Sequence, residues 1–240
     1  MAIKIKWFPP AWVQIKMSNR KVIYVDPAYL KKYYRNYPKK IEFSTWPDPI
    51  DGLPEKDLEK ADVILVTHHH KDHCKGVTTN RLRGKHTAVI ATRYCVKELG
   101  EDIAVIEPGE EIEVNNITIK AVHSYNIRQD NKTKLAHKKG VGVGYLINTE
   151  DIMVYHAGDT DLIPEMAGLG RIDIALLPIG GRDFTMGLTE ALEAAVWLKP
   201  KVVIPMHHFE ADPLEFKDLV EKKSAIKVAA LQIGEVYCFR

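Results

Sequence analysis

The sequence predicts a fold that mixes β-strands and α-helices, on the basis of three observations. Residues 3–7 and 12–17 alternate apolar and polar side chains on either side of a proline-containing segment, which is typical of an antiparallel strand pair with one solvated face. Strand and helix patterns then alternate between residues 87 and 106, and such alternation favours an α/β arrangement. Finally, four apolar strand patterns each run directly into residues that can bind a metal.

The individual elements follow from the same patterns. Residues 21–25 predict a third strand, and residues 112–114 and 117–122 flank Asn115-Asn116 as a hairpin. The other predicted strands are 61–66, 87–91, 103–106, 152–155, 202–206, 225–230 and 236–239, and the predicted helices are 92–99, 188–198 and 213–222. Residues 28–59, rich in tyrosine and proline, have no clear period and form either a surface excursion that walls a pocket or an ordered connection.

Length and composition describe an ordinary globular protein. The chain has 240 residues, 45% of them hydrophobic and 28% charged, and we expect a single domain over residues 1–240. A net charge of +2 gives no reason to expect nucleic acid or an anionic membrane as a partner. The amino terminus lacks the apolar core of a signal peptide, and no apolar run of about 18 residues is present, so a cytoplasmic location is the default expectation.

The most informative stretch is His-x-His-x-Asp-His at residues 68–73, directly after a predicted buried strand. Side chains alternate across an extended segment, so His68 and His70 share a face, where two imidazoles can bind one cation. The chain must then turn, which lets the adjacent Asp72 and His73 face a second cation. A solvated polar loop with incidental histidines is the alternative interpretation.

Three later strand patterns also end at potential ligands, namely His123, the segment from His156 to Asp159, and His207. Open α/β sheets place their chemistry outside the carboxyl ends of strands, so we expect the four strand ends to converge. A carboxylate can span two cations, which makes Asp159 the expected bridge. The hypothesis is a pair of metal sites, with His68, His70 and His123 on one ion and Asp72, His73 and His207 on the other.

Two further residues are candidates for orienting the ligands. Asp26 lies at the end of a predicted strand, where it either holds a ligand histidine through its carboxylate or simply begins an Asp-Pro turn. His156 lies three residues before Asp159 and is either a proton donor or, as we favour, a residue that orients a neighbouring ligand.

These motifs resemble those of the metallo-β-lactamase-fold hydrolases, and the resemblance covers nearly the whole chain. It rests on His-x-His-x-Asp-His, the later His123, the Gly158-Asp159-Thr160 segment, and His207 before a terminal helix. Residues 155–161, 177–181, 185–187 and 204–207 are similar to a branch of uncharacterised metal-dependent hydrolases close to the ascorbate-phosphate lactonases. The resemblance implies an α+β fold, a four-layer αββα sandwich with the metals at one edge of the paired sheets.

One departure from these relatives concerns His123. Many relatives resemble Pro-Ala-Tyr-Asn where this chain has His-Ser-Tyr-Asn, so His123 restores the usual ligand of the superfamily. Relatives also carry a His-Pro-Lys-Gly-like element where this chain has His137-Lys138-Lys139-Gly140. The match makes His137 and Lys138 candidates for binding an anionic substrate. Arg182, which follows Gly180-Gly181 near the mouth of the site, is a candidate for bidentate pairing with a phosphate. A solvated basic loop explains the lysines equally well.

The resemblance implies a hydrolase with two divalent ions and a water molecule deprotonated between them near neutral pH. Asp72 and Asp159 would orient the resulting hydroxide, and the substrate would be a phosphoester or a lactone of a small anionic molecule. Zinc is the expected metal, with manganese, iron and nickel as alternatives. A nuclease-like phosphodiesterase and a metal-binding regulatory protein without turnover are the alternative functions, and self-association into a homo-oligomer is left open.

Overall fold

The computed structural model describes residues 2–28, 59–127 and 135–240. The chain divides into two compact units, the first formed by Met1–Val105 with Gln232–Arg240 and the second by Ile106–Leu231. Most of the tyrosine- and proline-rich segment at 28–59 lies outside the described residues, so both interpretations of it stay predictions. The prediction of a single domain over residues 1–240 also stays a prediction.

The described residues form strands and helices that we number in chain order. The strands are β1 (Ile3–Phe8), β2 (Trp12–Lys16), β3 (Val22–Val25), β4 (Ala61–Val66), β5 (Arg83–Ala91), β6 (Ala104–Val105), β7 (Glu111–Val114), β8 (Ile117–Ser124), β9 (Gly142–Thr149), β10 (Ile152–His156), β11 (Ile174–Pro178), β12 (Val202–Met206), β13 (Lys227–Val228) and β14 (Val236–Phe239). The α-helices are α1 (Gly76–Leu82), α2 (Val96–Leu99), α3 (Leu188–Leu198) and α4 (Pro213–Lys223).

The first unit contains a seven-stranded sheet with the order β14-β1-β2-β3-β4-β5-β6. Neighbouring strands are antiparallel from β14 to β3 and parallel from β3 to β6. In β4, Ile64 and Val66 pack into an apolar cluster with Phe8, Trp12 and Tyr24, and the side chains of Val63 and Leu65 are also buried. A strand buried on both faces has a continuous apolar sequence, which explains why β4 has its predicted bounds.

The helices of the first unit are short. The sequence did not predict α1, because it begins at a glycine and contains Thr78 and Thr79, which are weak helix formers. A 3₁₀ turn at Arg93–Cys95 precedes α2, and Gly100 follows it with a φ of 87°. The helix predicted over 92–99 is therefore two short pieces that end at the expected glycine.

The second unit contains another seven-stranded sheet, with the order β13-β12-β11-β10-β9-β8-β7. Its neighbours are antiparallel from β7 to β10 and parallel from β10 to β13. Asn115 and Asn116, between β7 and β8, have φ values of 54° and 60°, which confirms the predicted hairpin with its left-handed turn residues. The sequence did not predict β9, whose Gly142 and Gly144 are residues depleted in strands.

One edge of the second sheet collects four strand ends. The parallel strands β10, β11 and β12 end together at His156, Pro178 and Met206. The strand β8 runs in the same direction as β10, because both are antiparallel to β9 between them, and it ends at Ser124. The residues that follow these ends therefore share one edge, which includes three of the four strand ends that the sequence predicted to converge, those of β8, β10 and β12.

The predicted α+β class is confirmed. Each unit combines a mixed sheet with helices, and α3 and β12 have their predicted bounds. Among the described residues, no helix combines the length and the apolar character that crossing a membrane requires.

Candidate metal centre

The carboxyl end of β4 leads into a tight turn that carries four predicted ligands, His68, His70, Asp72 and His73. The backbone amides of His73 and Cys74 both donate to the carbonyl of His70, at 2.9 and 2.7 Å. The Nε2 atom of His68 lies 3.1 Å from Nδ1 of His70. The two rings thus meet on one side of the turn, as the alternation of an extended segment predicts.

Asp26 holds this turn from the end of β3. Its buried carboxylate accepts hydrogen bonds from the backbone amide and the hydroxyl of Thr67, both at 2.7 Å, and lies 2.8 Å from Nδ1 of His73. The Thr67 hydroxyl oxygen lies 2.9 Å from Nδ1 of His68. With Nδ1 engaged in both rings, Nε2 is the nitrogen that can face a metal. Asp26 therefore lies where the orienting interpretation placed it.

Asp159, in the turn after β10, is the centre of a buried cluster in the second unit. Its Oδ2 lies 3.3 Å from Nε2 of His207 and 3.4 Å from Nε2 of His137, and the three side chains are at most 5% exposed. These separations exceed the usual length of an N–H···O hydrogen bond. They match the spacing of two donors around one tetrahedral ion, about 3.3 Å for bonds of about 2.0–2.1 Å. The imidazole and carboxylate donors thus fit a divalent metal.

The turns that carry Asp159 and His207 have left-handed backbone conformations. Gly158 has a φ of 65°, which glycine adopts freely, and its amide donates to Nδ1 of the buried His156 at 3.3 Å. The Ser124 hydroxyl donates to the carbonyl of Asp159 at 2.9 Å. His207 has a φ of 49°, and histidine is one of the residues that enter this region more often than most. His156 therefore steadies the turn that carries Asp159.

His208, which follows His207, has a different role. Its Nε2 donates to the Pro205 carbonyl at 2.9 Å. Burial lowers the pKa of His208 to about 4, so its ring is neutral near pH 7. The two adjacent histidines therefore divide into one that faces Asp159 and one that braces the end of β12.

His137 is fixed by Asn126, a residue that the sequence did not single out. The Asn126 Oδ1 accepts a hydrogen bond from the His137 amide at 3.0 Å and lies 2.9 Å from Nδ1 of His137. The Asn126 side-chain amide donates to Asp161 Oδ1 and to the Phe184 carbonyl, both at 3.0 Å. Asn126 follows the end of β8, and this position at the functional edge was the signal available in the sequence.

Candidate metal-binding groups among the described residues include most of the predicted ligands. The His and Asp side chains that belong to such groups are His68, His70, Asp72, His73, His137, Asp159 and His207. His137, which the sequence suggested only as a substrate residue, thus joins six of the predicted ligands.

Comparisons with known proteins show the family of the chain. The model of the beta-lactamase superfamily domain matches residues 4–207. The chain belongs to the beta-lactamase superfamily. A metal-dependent hydrolase from Pyrococcus furiosus is 38% identical over 201 residues, which cover 78% of this chain and 86% of the relative. Another from Methanopyrus kandleri is 33% identical across 98% of this chain and 99% of the relative.

A solved structure extends the comparison to the fold. The metallo hydrolase Igni18 from the archaeon Ignicoccus hospitalis matches with a TM-score of 0.73 and 26% identity, covering 100% of this chain and 99% of that chain. The match confirms the predicted metallo-β-lactamase fold. This superfamily member is accordingly an enzyme, a metal-dependent hydrolase with candidate His and Asp ligands.

His123, in β8 of this superfamily member, is the one predicted ligand outside the metal-binding groups found among the described residues. It pairs with Val143 across β8 and β9, and its ring packs edge-on to Tyr125, with centroids 6.2 Å apart. Its Nδ1 is buried without a hydrogen-bond partner among the described residues. None of the metal-binding groups found in the described parts of the chain includes it. His123 as a ligand stays a prediction, and the distances at Asp159 favour His137.

The predicted substrate residues of this hydrolase have unlike surroundings. His137 is buried, whereas Lys138 is exposed beside it. Arg182 forms an ion pair with Glu210, which holds the pKa of the guanidinium above its ordinary value. Its guanidinium carbon lies 5.6 Å from the centroid of the Phe209 ring. Glu210 thus already balances the charge of Arg182, and Lys138 is the better candidate for meeting an anion.

Proposed function

We propose that the chain is a dinuclear metal-dependent hydrolase that binds two divalent ions, with zinc as the expected metal. The observation that carries the proposal is the Asp159 carboxylate, buried between two histidine nitrogens at 3.3 and 3.4 Å. Imidazole nitrogens and carboxylate oxygens are donors that suit divalent ions. A divalent ion would also fit the observed spacing of these donors.

In this proposal, ligands come from both units. The family model supports it, because its match over residues 4–207 includes both the turn at 68–73 and the later ligands. Asp159 would contribute to holding both ions. The proposed ligands are His68, His70 and His137 on the first ion and Asp72, His73 and His207 on the second.

Two divalent ions supply Lewis acidity and lower the pKa of a water molecule to about 7. The chain contributes ligand positions and hydrogen-bond acceptors that are fixed before the substrate arrives. The carboxylates of Asp72 and Asp159 orient the attacking water. Asp26 holds His73 directly and His68 through Thr67, so that both rings present Nε2 without reorganising during turnover.

The proposed substrate is a phosphoester or a lactone of a small anionic molecule. The exposed Lys138, next to the buried His137, supports this choice because it brings a positive charge to the edge where the strand ends meet. A cytoplasmic location and a homo-oligomeric state stay predictions.

Metal analysis and a substrate panel test the proposal. Purified chain reconstituted with zinc, manganese, iron or nickel should hold two ions, measured by mass spectrometry of the metals. It should also hydrolyse a member of a panel of lactones, phosphomonoesters and phosphodiesters. Asp72→Asn should abolish that turnover, whereas a regulatory protein would show none to lose. Failure of the reconstituted chain to bind any divalent ion would rule the proposal out.

A further inference from the structure

Two exposed aromatic side chains lie next to one another in the second unit, and one of them, Phe209, packs against His207. Phe184 and Phe209 are 46% and 36% exposed, and their ring centroids are 6.1 Å apart. The Phe209 ring also packs edge-on against the His207 ring, with centroids 4.5 Å apart and an interplanar angle of 73°. Large apolar side chains exposed side by side mark a binding surface. This surface adjoins a proposed metal ligand.

Phe209 has an unfavourable backbone conformation that the surrounding fold maintains. Phe209 has a φ of 48°, a left-handed conformation that is rare for a bulky residue. A Cβ atom at Gly180 would lie 2.3 Å from the Phe209 ring and 2.3 Å from the His207 carbonyl. The ring can therefore take its place beside His207 only because residue 180 is glycine. Backbone strain maintained in this way is characteristic of functional sites.

Phe184 is tied to the same edge through its backbone. Its amide donates to the Gly181 carbonyl at 3.2 Å, and its carbonyl accepts the bond from Asn126 at 3.0 Å. Asn126 is also the residue that fixes His137. The two aromatic rings are thus carried by segments that are connected to two proposed ligands, His137 and His207.

We propose that Phe184 and Phe209 form an aromatic wall that receives an apolar group of the substrate, an aryl or branched alkyl substituent next to the scissile bond. The inference rests on the proposed function, which puts the scissile bond at the ions that His207 helps to hold. Because Phe209 touches His207, a molecule bound at the metal brings its substituent against this ring. The substrate class is therefore amphipathic, a polar reacting group attached to an apolar substituent.

A pair of small phosphonates separates the aromatic contact from metal binding. Methylphosphonate and phenylphosphonate present the same anionic group to the metals and differ only in the apolar substituent. Isothermal titration of the zinc-loaded chain measures the Kd of each. We expect phenylphosphonate to bind at least about tenfold more tightly, which corresponds to about 1.4 kcal/mol. Phe209→Ala and Phe184→Ala should each reduce this ratio to about threefold or less.

Two further variants control for folding and for exposed aromatic surface in general. Phe209→Leu keeps an apolar side chain at the strained position and should give a ratio between those of the wild type and Phe209→Ala. Trp197, 42% exposed at the end of α3, precedes β12, whereas Phe209 follows it. A five-residue strand spans about 16 Å at about 3.3 Å per residue, so Trp197→Ala should leave the ratio at its wild-type value.

The outcomes distinguish the wall from the metal centre. Equal affinity of the two phosphonates for the wild type, or a ratio that neither alanine variant changes, would overturn the aromatic wall. If Phe209→Ala loses methylphosphonate binding, the ratio for Phe209→Leu decides, and a wild-type value there rejects the wall. If EDTA changes the binding of neither phosphonate to the wild type, the proposed function itself fails.

Discussion

The two units contribute their candidate ligands in different ways. In the first unit, four ligands lie within residues 68–73, and the single carboxylate of Asp26 supports two of their rings. In the second unit, the ligands come from three separate connections, after β10, after β12 and between β8 and β9. Each of these connections has its own bracing hydrogen bonds. A contiguous motif is positioned by one local turn, whereas a dispersed set depends on the order and direction of whole strands.

Removing the charge at the centre of the dispersed set should have the largest effect. Asp159→Asn removes the negative charge that the His137 and His207 imidazoles face. Loss of a residue that only orients a ligand lowers metal affinity by about 10–100-fold. We therefore expect the loss of Asp159, a proposed ligand, to lower metal affinity by more than about 100-fold. Hydrolysis should be lost with the metal. Competition with a chromophoric chelator measures the affinity, and Asp151→Asn, at an exposed position, is the matched control. Unchanged metal binding in Asp159→Asn would remove Asp159 from the centre.

Removing the charge of Asp26, which supports the ligands in residues 68–73, should have the second largest effect on metal affinity. Asp26→Asn preserves the shape of the side chain but loses the charge that accepts bonds from Thr67 and His73, so we expect a loss of about 10–100-fold in metal affinity. Thr67→Val, which cuts only the link to His68, should lose less than Asp26→Asn. The same chelator competition tests both, and the reverse order of the two losses would show that Asp26 does not act through Thr67.

Removing a residue that supports only one ligand of the second unit should have a smaller effect on metal affinity. Asn126→Ala removes the acceptor beside Nδ1 of His137 but leaves Asp159 and His207 in place, so we expect about a tenfold loss of metal affinity. Asn126→Asp keeps that acceptor and should recover part of the loss. The electronic spectrum of the cobalt-substituted chain offers a second readout, because it reports a change of ligand geometry directly.

The smallest effect should come from an ion pair on the same connection. Glu165 accepts hydrogen bonds from Lys139 at 2.7 Å and from the Tyr125 hydroxyl at 3.0 Å, and the Lys139 side chain is 54% exposed. Exposed pairs contribute about 0–1 kcal/mol, so Glu165→Gln should lower the free energy of unfolding by less than about 1 kcal/mol. Denaturant unfolding measures this value. Metal affinity should match the wild type, and a loss of it would show that the connection depends on this pair.

The sequence predicted the elements in which the residue pattern favours the same structure as burial and packing in the fold. The continuous apolar pattern of β4 and the helical period of α3 gave the observed bounds, since regularly placed apolar residues dominate both segments. The missed elements contain residues that argue against them. Gly76 and two threonines obscure α1, and Gly142 and Gly144 obscure β9, because burial and pairing in the sheet override weak propensity there.

The residues of the candidate site also divide into those with a local sequence signal and those without one. The spacing of His68 to His73 is enough to predict which of these side chains share a face. The end of the β12 strand pattern is likewise enough to place His207. No spacing relates His137 to Asp159, because their proximity follows from the antiparallel return of β9 beside β10. His123 was the natural choice from the sequence since it ends the strand pattern of β8, whereas His137 lies inside a connection that the pattern leaves unspecified.

The metal content of two histidine variants tests the account most directly. His137→Ala and His123→Ala are reconstituted with zinc alongside the wild type, dialysed against weak chelator, and measured for ions per chain. We predict that His123→Ala keeps both ions of the wild type and that His137→Ala retains only one. Retention of both ions by His137→Ala together with loss of an ion from His123→Ala would contradict the account and restore His123 as the ligand.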